Sequence, residues 1–491
     1  MAWPIKRDPP RLRFWLGLCA VCALLIDLGS LHRLHHGDSL LPILMSLMRW
    51  SPFFWEQDRF GMIVPLIAMP LANPLANLLF QDFLDILLGL FAFFLLARFL
   101  LKDATYPAAA VLALASFLTL CPEDYRFSYL VDACYGTWLV PGVGGLILLE
   151  RDQGKPPKRR VLGLFLIAVA HWASIATAMY LAPLVVGMMV MRKSSIREGV
   201  ERLVALAFGV GVGLGMMRLS PYRATAFSTL PASRWVWSYT QLLGTTWLDL
   251  APWGHLVLMV VAAGAGVFVC RRMRLPVDAS MRAALVTVLT ALAVSMFLGT
   301  RSWAAVNGFP SRYLSPLVIF LSVGVAGLAV APFRAWTNRT LLNLMLCGSM
   351  IAASIVGYGL PSISRVRRDL DETLGSRTAD LIESRCTHVT GYYNNVWPSV
   401  FHARLVLFER GDRRMIWGIT HRCDPTRDLW IPVPLPEVFI GLPQGDPEGE
   451  RWLRVYDLPP LVELEPCKTL RILRPKSEAA KPAASPRILQ N

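Results

Sequence analysis

The chain has 491 residues, of which 54% are hydrophobic and 17% charged, and its formal net charge is +15. Soluble proteins carry about 25% charged residues, and here the apolar residues fall in blocks of about 20, the length that crosses a bilayer as a helix. This composition excludes an ordinary soluble protein. Because the basic residues lie between the apolar blocks, they are typical of membrane topology signals and not of nucleic-acid binding.

The apolar blocks predict eleven membrane helices in a transmembrane domain over residues 1–360. The first block follows a basic segment and lacks a small-residue cleavage site, so it is interpreted as an uncleaved span that starts in the cytoplasm. Residues 161–191 have basic segments on both sides, which predicts two short helices that enter and return, with His171 and Trp172 near their turn. The other predicted spans are residues 14–31, 83–101, 106–120, 127–149, 203–219, 255–270, 282–300, 313–331 and 341–360.

The first outer loop, residues 32–82, contains many ionisable residues, beginning with the sequence HRLHHGDSLLPILMSLMRWSPFFWEQDRFGM. Residues 62–80 follow and include three prolines and two asparagines. Proline removes a backbone donor and breaks a helix, so this stretch is predicted to lie at the outer interface without crossing the membrane.

After the last apolar block the composition becomes polar, which predicts an extracytoplasmic α+β domain over residues 361–475 and a disordered tail at 476–491. Residues 364–386 read as helical, whereas the segments 403–410 and 414–423 read as strands. The aromatic segment 391–401 reads as a core strand, with an acceptor-binding platform as the alternative. An oxidising compartment would permit a Cys386–Cys423 disulfide, although sequence does not fix the pairing.

Three layout features of the membrane part point in one direction: an acid soon after the first helix, a broken segment leading into the second, and an aromatic-Arg-x-x-Tyr-x-x-Asp pattern at YRFSYLVD, residues 125–132. The layout from Arg13 to Leu360 resembles that of the polytopic GT-C glycosyltransferases, most closely the protein mannosyltransferase and aminoarabinose transferase branch. The chain departs from that branch by having a single acid, Asp38, in place of a pair, and WEQDRFG in place of an HPP-like element.

The resemblance implies an all-α, GT-C-like membrane bundle that transfers a sugar from a polyprenyl-phosphate donor to an acceptor hydroxyl on a glycan, lipid or protein outside the cytoplasm. It also implies an integral protein of the bacterial inner membrane with a cytoplasmic N-terminus. No particular cofactor is implied, because Asp38 and Asp58 could work with or without a divalent cation such as Mg²⁺ or Mn²⁺. The rival readings are a lipid-linked-saccharide flippase or transporter, and a membrane acyl- or phospho-group transferase.

Within the first loop, the resemblance implies that Asp38 is the catalytic base, with helix capping as the structural alternative. Asp58 is the second candidate base and Arg59 a phosphate ligand, whereas the alternative is a local ion pair of Arg59 with Asp58 or Glu56. Glu56 and His36 are weaker substrate-binding candidates. Adjacent histidines on a helix diverge, so a zinc site at residues 35–36 is not favoured.

Two further groups complete the predicted substrate-binding set. Tyr125, Arg126 and the intramembrane acid Asp132 are expected to contact donor phosphate or sugar, since an acid within a span needs a polar cavity or a partner. An Arg126–Asp124 ion pair is the structural alternative. Arg312 and Tyr313 open a span from the outer side, where Arg312 would neutralise the leaving phosphate or reach the lipid headgroups.

Overall fold

The computed structural model describes residues 12–133, 135–150, 157–222, 228–247, 253–336, 338–430, 437–455, 461–464 and 467–475. The chain forms two compact units. We call them the helical unit (Met1–Gly29, Asp58–Gly61 and Asp82–Pro361) and the sheet unit (Ser30–Gln57, Met62–Gln81 and Ser362–Asn491). Most of the first loop therefore belongs with the C-terminal part of the chain, whereas Asp58–Gly61 belongs with the membrane helices.

The described part of the chain is mostly helical. Its α-helices are α1 Leu12–Asp27, α2 Gly37–Leu47, α3 Ile63–Ala68, α4 Pro74–Leu101, α5 Tyr106–Leu120, α6 Glu123–Phe127, α7 Gly136–Leu148, α8 Pro157–Ala173, α9 Thr177–Val190, α10 Ile196–Met217, α11 Trp235–Gln241, α12 Trp253–Arg272, α13 Asp278–Gly299, α14 Ser302–Val306, α15 Ser315–Ala329, α16 Arg339–Tyr358, α17 Ile363–Leu374, α18 Thr378–Glu383, α19 Tyr393–Glu409, α20 Asp424–Trp430 and α21 Pro447–Val455.

Among the described residues, six helical stretches are long and apolar enough to cross a membrane. They are Pro74–Leu101, Ile196–Met217, Trp253–Arg272, Asp278–Gly299, Arg312–Ala329 and Arg339–Glu383. A seventh exists if the pair Glu123–Asp132 and Gly136–Leu148, bent by 65°, counts as one span. The predicted eleven are therefore not confirmed. The physical reason is length, because helices such as α5 and α9 reach only about 20 Å, short of the ~30 Å core.

The interrupted segment at residues 62–80 forms a short helix, α3, and the start of a long one, α4. Asn73 Oδ1 accepts hydrogen bonds from the backbone N–H groups of Leu75 at 3.0 Å and Ala76 at 3.1 Å. An asparagine cap followed by proline is a typical helix start. The second long helix consequently begins at residue 74, nine positions before the predicted start at residue 83.

Residues 161–191 form two helices, α8 and α9, separated by a break at residues 174–176. The hydroxyl of Thr177 closes this break by donating to the carbonyls of Ala170 at 3.0 Å and Ser174 at 2.6 Å. His171 lies buried just before the break, and its Nδ1 bonds the Ile167 carbonyl at 2.8 Å. The sequence therefore located the turn within a few residues.

The sheet unit contains a five-stranded mixed sheet in the order β2-β1-β3-β5-β4. The strands are β1 His388–Thr390, β2 Trp417–Ile419, β3 Ile440–Pro443, β4 Leu461–Glu463 and β5 Leu470–Pro475. Strands β2, β1 and β3 are parallel, and β5 pairs antiparallel with both β3 and β4. The chain reaches β2 from β1 through α19 and returns past β1 to β3 through α20, so the two connections run in opposite directions across the sheet.

The C-terminal predictions were right for the first helical segment and wrong for two strands. The helical reading of residues 364–386 corresponds to α17 and α18. Residues 391–401 and 403–410 were predicted as strands, yet both lie mainly in α19. Short, fully buried apolar runs do not distinguish a helix from a strand by periodicity, and α19 is buried at Val396, Trp397 and Phe401. The segment 414–423 does contain strand β2.

The disulfide prediction was also wrong. Cys386 and Cys423 are both buried thiols that are not joined to one another. Burial raises the pKa of the Cys386 thiol to about 12, so it stays protonated as a packing residue. The predicted disordered tail at 476–491 lies outside the described residues.

Candidate functional site

Asp38 lies in the first turn of α2, and the capping role proposed for it belongs to its neighbour. His36 is the N-cap: its Nδ1 accepts the Asp38 backbone N–H at 3.3 Å. The Ser39 hydroxyl accepts the His36 backbone N–H at 3.0 Å, which completes a reciprocal capping box. His36 therefore caps the backbone of α2 through Nδ1, and its predicted substrate contact stays a prediction. The Asp38 carboxylate is left for other partners.

One oxygen of the Asp38 carboxylate is fixed by a tyrosine from the far end of the chain. The phenol of Tyr393, at the start of α19, donates to Asp38 Oδ1 at 2.8 Å. A Cβ on Gly37 would lie 2.6 Å from Tyr393 Cε1, so glycine is required for the ring to approach. No residue that the structure describes bonds Oδ2, and Asp38 is half-buried. Asp38 is thus oriented through one oxygen while the other stays available.

The electrostatics of this pair keep Tyr393 as the donor. Burial, followed by the negative charge of Asp38, raises the pKa of Tyr393 above its ordinary value. The guanidinium of Arg422 lies 6.0 Å from the Tyr393 ring centroid and 4.6 Å from that of Phe54. Arg422 also donates to the Trp55 carbonyl at 2.8 Å. Arg422 follows β2 with a positive φ of 70°, a conformation that is uncommon for a non-glycine residue.

Glu56 packs against the segment after β2, and its predicted role in substrate binding stays a prediction. Its Oε1 accepts the Asp424 backbone N–H at 3.2 Å. Burial raises the Glu56 pKa to about 7, and repulsion from the Asp424 carboxylate adds to this rise. Nearby, Arg49 donates to the Pro425 carbonyl at 2.6 Å. Residues 49–57 are therefore attached to residues 422–428 by several polar contacts within the sheet unit.

Asp58 and Arg59 belong to the helical unit, in a four-residue segment that lies on the end of α8. The Gly61 N–H donates to the Ala173 carbonyl at 3.0 Å, and a Cβ on Gly61 would lie 2.6 Å from the Trp172 carbonyl oxygen. Asp58 is only 4% exposed, and its Oδ1 bonds no described residue. Arg59 lies over the Phe60 ring at 5.6 Å. The predicted Asp58–Arg59 ion pair is not formed, which leaves a buried carboxylate oxygen unsatisfied.

Arg126 has a structural role. Its guanidinium donates to the carbonyls of Leu118, near the end of α5, and Gly357, near the end of α16, the second at 3.1 Å. It also lies 4.7 Å from the Tyr358 ring centroid. Carbonyls at helix C-termini lack intrahelical donors, and Arg126 satisfies two of them without forming the ion pair with Asp124. The predicted phosphate contact of Arg126 stays a prediction.

Arg312 and Tyr313 are held by two tyrosines that sequence reasoning missed. The phenol of Tyr135 donates to the Arg312 carbonyl, and that of Tyr180 donates to the Tyr313 carbonyl at 2.6 Å. The Arg312 guanidinium forms no ion pair with any described acid, and it lies 5.9 Å from the Tyr313 ring centroid. Asp132, in the π-helical turn Ser128–Asp132, is close enough to Tyr135 to interact with it electrostatically, as is Arg312.

These side chains belong to an aromatic cluster inside the helical unit. Tyr129 stacks on Tyr135 at 5.8 Å between ring centroids, and Trp138 stacks on Tyr180 at 5.2 Å. Tyr125, the remaining predicted residue of this group, is also buried. Two phenols of this cluster therefore fix the backbone at Arg312 and Tyr313. The Arg312 guanidinium has no acid partner among the described residues, which suits a phosphate group.

The cluster and the Asp58–Gly61 segment contact the same short-helix pair. Ala173, which accepts from Gly61, and Tyr180, which donates to Tyr313, are seven residues apart in the sequence. Seven residues span at most about 25 Å when fully extended, and part of this segment is helical. Asp58 and Arg312 are consequently attached to one end of the α8–α9 pair.

The predicted divalent cation stays a prediction. Within either unit taken by itself, the described residues contain no group of three His, Cys, Asp or Glu side chains whose ligand atoms are close enough to share an ion. In the sheet unit, His32 Nδ1 lies 3.2 Å from His35 Nε2, and His35 Nδ1 lies 3.1 Å from the Ser39 hydroxyl. These histidines have hydrogen-bonding partners within their own segment.

Comparison with known proteins gives a limited result. No family model and no curated protein matches the chain. Among solved structures, the chain is similar to the crystal structure of ArnT from Cupriavidus metallidurans in the apo state, with 12% identity and a TM-score of 0.47 over 94% of this chain and 98% of that one. At this identity and TM-score the likeness carries no functional argument, so the proposal below depends on the residues themselves.

Proposed function

We propose that the chain is a membrane glycosyltransferase that moves a sugar from a polyprenyl-phosphate-linked donor to an acceptor hydroxyl on the extracytoplasmic side of a bacterial inner membrane. The observation that carries this proposal is the Tyr393–Asp38 hydrogen bond. A carboxylate held through one oxygen, with its second oxygen available, is the arrangement that a general base requires.

In the proposed reaction the acceptor oxygen bonds to the anomeric carbon of the sugar, and the bond from that carbon to the carrier phosphate oxygen breaks. Asp38 takes the proton of the acceptor hydroxyl. The carrier phosphate leaves with its negative charge, which Arg312 stabilises because its guanidinium has no acid partner among the described residues. Asp58, with its unsatisfied buried oxygen, is assigned to a sugar hydroxyl or a divalent cation.

Three arguments weigh against the rival functions. An acyl- or phospho-group transferase would need a histidine base in the first loop, whereas His36 is occupied as the N-cap of α2. A flippase or transporter would be expected to show sequence repeats between its two halves, and no convincing repeat is present in the sequence. A transporter also has no need of a carboxylate held by a tyrosine from the soluble part of the chain.

The test is sugar transfer in membranes that contain the wild type, Asp38→Asn, Asp58→Asn or Arg312→Met at equal expression. The donors are radiolabelled sugars on polyprenyl phosphate, assayed with and without EDTA. Asp38→Asn should lower the rate by about 10²–10⁴-fold. The matched control is Asp369→Asn, a half-buried residue of α17 that bonds no described residue and should transfer at the wild-type rate.

The alternative outcomes are separable. Loss in Asp58→Asn with full activity in Asp38→Asn would move the base to Asp58. Loss on EDTA treatment would establish the cation. If the wild type transfers no sugar from any donor of the panel, the glycosyltransferase proposal is wrong. If the wild type transfers sugar and all three variants match it, the roles assigned to Asp38, Asp58 and Arg312 are wrong.

A further inference from the structure

The sheet unit contains an open polar concavity whose lining does not include Asp38 or Tyr393. It has a volume of about 400 Å³, within the range of small-molecule sites. Its lining comes from the segments that follow two parallel strands and from the turn before α18: Arg377, Tyr392, Asn395, Pro443, Gln444, Gly445, Asp446, Pro447 and Glu448. We call this concavity the switch-point cavity.

The position of the switch-point cavity follows from the strand order. Strands β1 and β3 are parallel neighbours, so their carboxyl ends, at Thr390 and Pro443, lie on the same edge of the sheet. The chain leaves β1 towards β2 on one side and reaches β3 on the other, so the connections diverge at this point. In open sheets with parallel strands, ligands bind in the crevice outside the carboxyl ends at such a switch point.

The charges at the cavity argue against an anionic ligand. Asp446 Oδ2 accepts the Tyr392 backbone N–H at 2.9 Å, and Oδ1 accepts the Glu448 backbone N–H at 3.0 Å. The Asp446 carboxylate therefore already occupies the positions at the starts of α19 and α21 where a phosphate would otherwise bind. With Glu448 also on the rim and Arg377 as the one lining cation, the charges of these residues sum to −1, which disfavours a second anion.

The unused polar groups favour a polyhydroxylated ligand. The Arg377 guanidinium, the Asn395 side-chain amide and the Tyr392 phenol form no hydrogen bond or ion pair with any residue that the structure describes. Tyr392 is 51% exposed and offers a ring face for an apolar surface. Planar amide and guanidinium groups match hydroxyl donors and acceptors, and an aromatic ring supplies contact area at low entropy cost.

We propose that the switch-point cavity binds a neutral saccharide, with the Tyr392 ring packed on one sugar face and Asn395 and Arg377 bonding its hydroxyls. Its role as the place where a glycan acceptor is held rests on the proposed function. Binding of the saccharide itself requires only the residues of the sheet unit.

The test measures binding without transfer, on the full-length protein in detergent. Saturation-transfer difference NMR and titration are carried out with glucose, mannose, N-acetylglucosamine and inorganic phosphate as separate probes. We compare the wild type with Tyr392→Ala and Asn395→Ala. The matched control is Phe408→Ala, another aromatic residue of the α19 region, 45% exposed and outside the cavity lining.

At least one sugar should bind the wild type and Phe408→Ala equally, and Tyr392→Ala should weaken its affinity by about tenfold. The inference is overturned if no sugar of the panel binds, if Tyr392→Ala binds as well as the wild type, or if phosphate binds and the sugars do not. Sugar binding is also measured in Asp38→Asn, so that saccharide binding at the switch-point cavity is tested separately from the proposed transferase activity. If the wild type binds a sugar but transfers none, the saccharide site stands and the glycosyltransferase proposal is rejected. If the wild type transfers sugar but binding does not depend on Tyr392, the glycosyltransferase proposal stands and the saccharide site is rejected.

Discussion

Removing the charge of Glu56 should stabilise the protein at neutral to basic pH. Glu56 is a carboxyl group whose pKa is raised from 4.5 to about 7, chiefly by burial and then by the Asp424 carboxylate. A raised carboxyl pKa means that the folded state binds its proton more tightly than the unfolded chain. Stability from this group is therefore complete below about pH 4.5, falls as the pH rises to about 7, and is constant above that value.

The magnitude follows from the same two pKa values. A difference of about 2.5 pKa units corresponds to about 3 kcal/mol if it is unscreened. Glu56 keeps some exposure to solvent, which screens the charge, so we expect about 1–2 kcal/mol. In Glu56→Gln the ionisation is absent while the amide oxygen can still accept the Asp424 N–H, so the gain should appear only where the wild-type carboxyl is ionised.

The assay is thermal unfolding of the detergent-purified full chain at pH 5, 6, 7 and 8, followed by tryptophan fluorescence. At pH 8, Glu56→Gln should unfold about 1–2 °C above the wild type, and at pH 5 the two should differ much less. Glu372→Gln is the control, because Glu372 is 71% exposed and its nearest cation is 3.9 Å away. An equal shift at every pH, or none at pH 8, would refute the buried-carboxyl reasoning.

Three further predictions concern single contacts. Tyr393→Phe removes the donor to Asp38 and should lower the free energy of unfolding by about 1–3 kcal/mol. If Asp38 is the base, the pH–rate profile of the variant should also shift. Unchanged stability together with an unchanged profile would contradict the contact. Arg126→Met should lower thermal stability without raising the donor KM, because its partners are backbone carbonyls; a raised KM at unchanged stability would restore the substrate role. Gly61→Ala should destabilise the protein by about 1–3 kcal/mol, because the added Cβ would lie too close to the α8 backbone. Gly215→Ala is the control and should not destabilise the protein, because there is open space around Gly215. Equal effects of the two substitutions in thermal unfolding would disprove the clash.

The sequence alone determined the features that depend on local composition. Apolar blocks located the six described helical stretches that are long enough to cross a membrane, although not all eleven predicted spans. A proline-rich interruption located the break before α4, because such signals act within one stretch of chain. The same reasoning located the short-helix pair α8–α9. Periodicity failed where the environment decides the structure: α19 is apolar enough to read as a strand, and burial within the sheet unit allows it to be a helix.

Only the tertiary structure decided which candidate side chains are available for chemistry. Asp38 could be named from its place after the first helix, but its partner Tyr393 lies 355 residues away, and no local pattern specifies that pairing. Arg126 and Arg312 look alike in sequence, yet Arg126 satisfies two helix ends while Arg312 meets no acid among the described residues. Hydrogen bonds and burial depend on which distant segments pack together, and this packing separates a structural arginine or histidine from one that is free to bind a substrate.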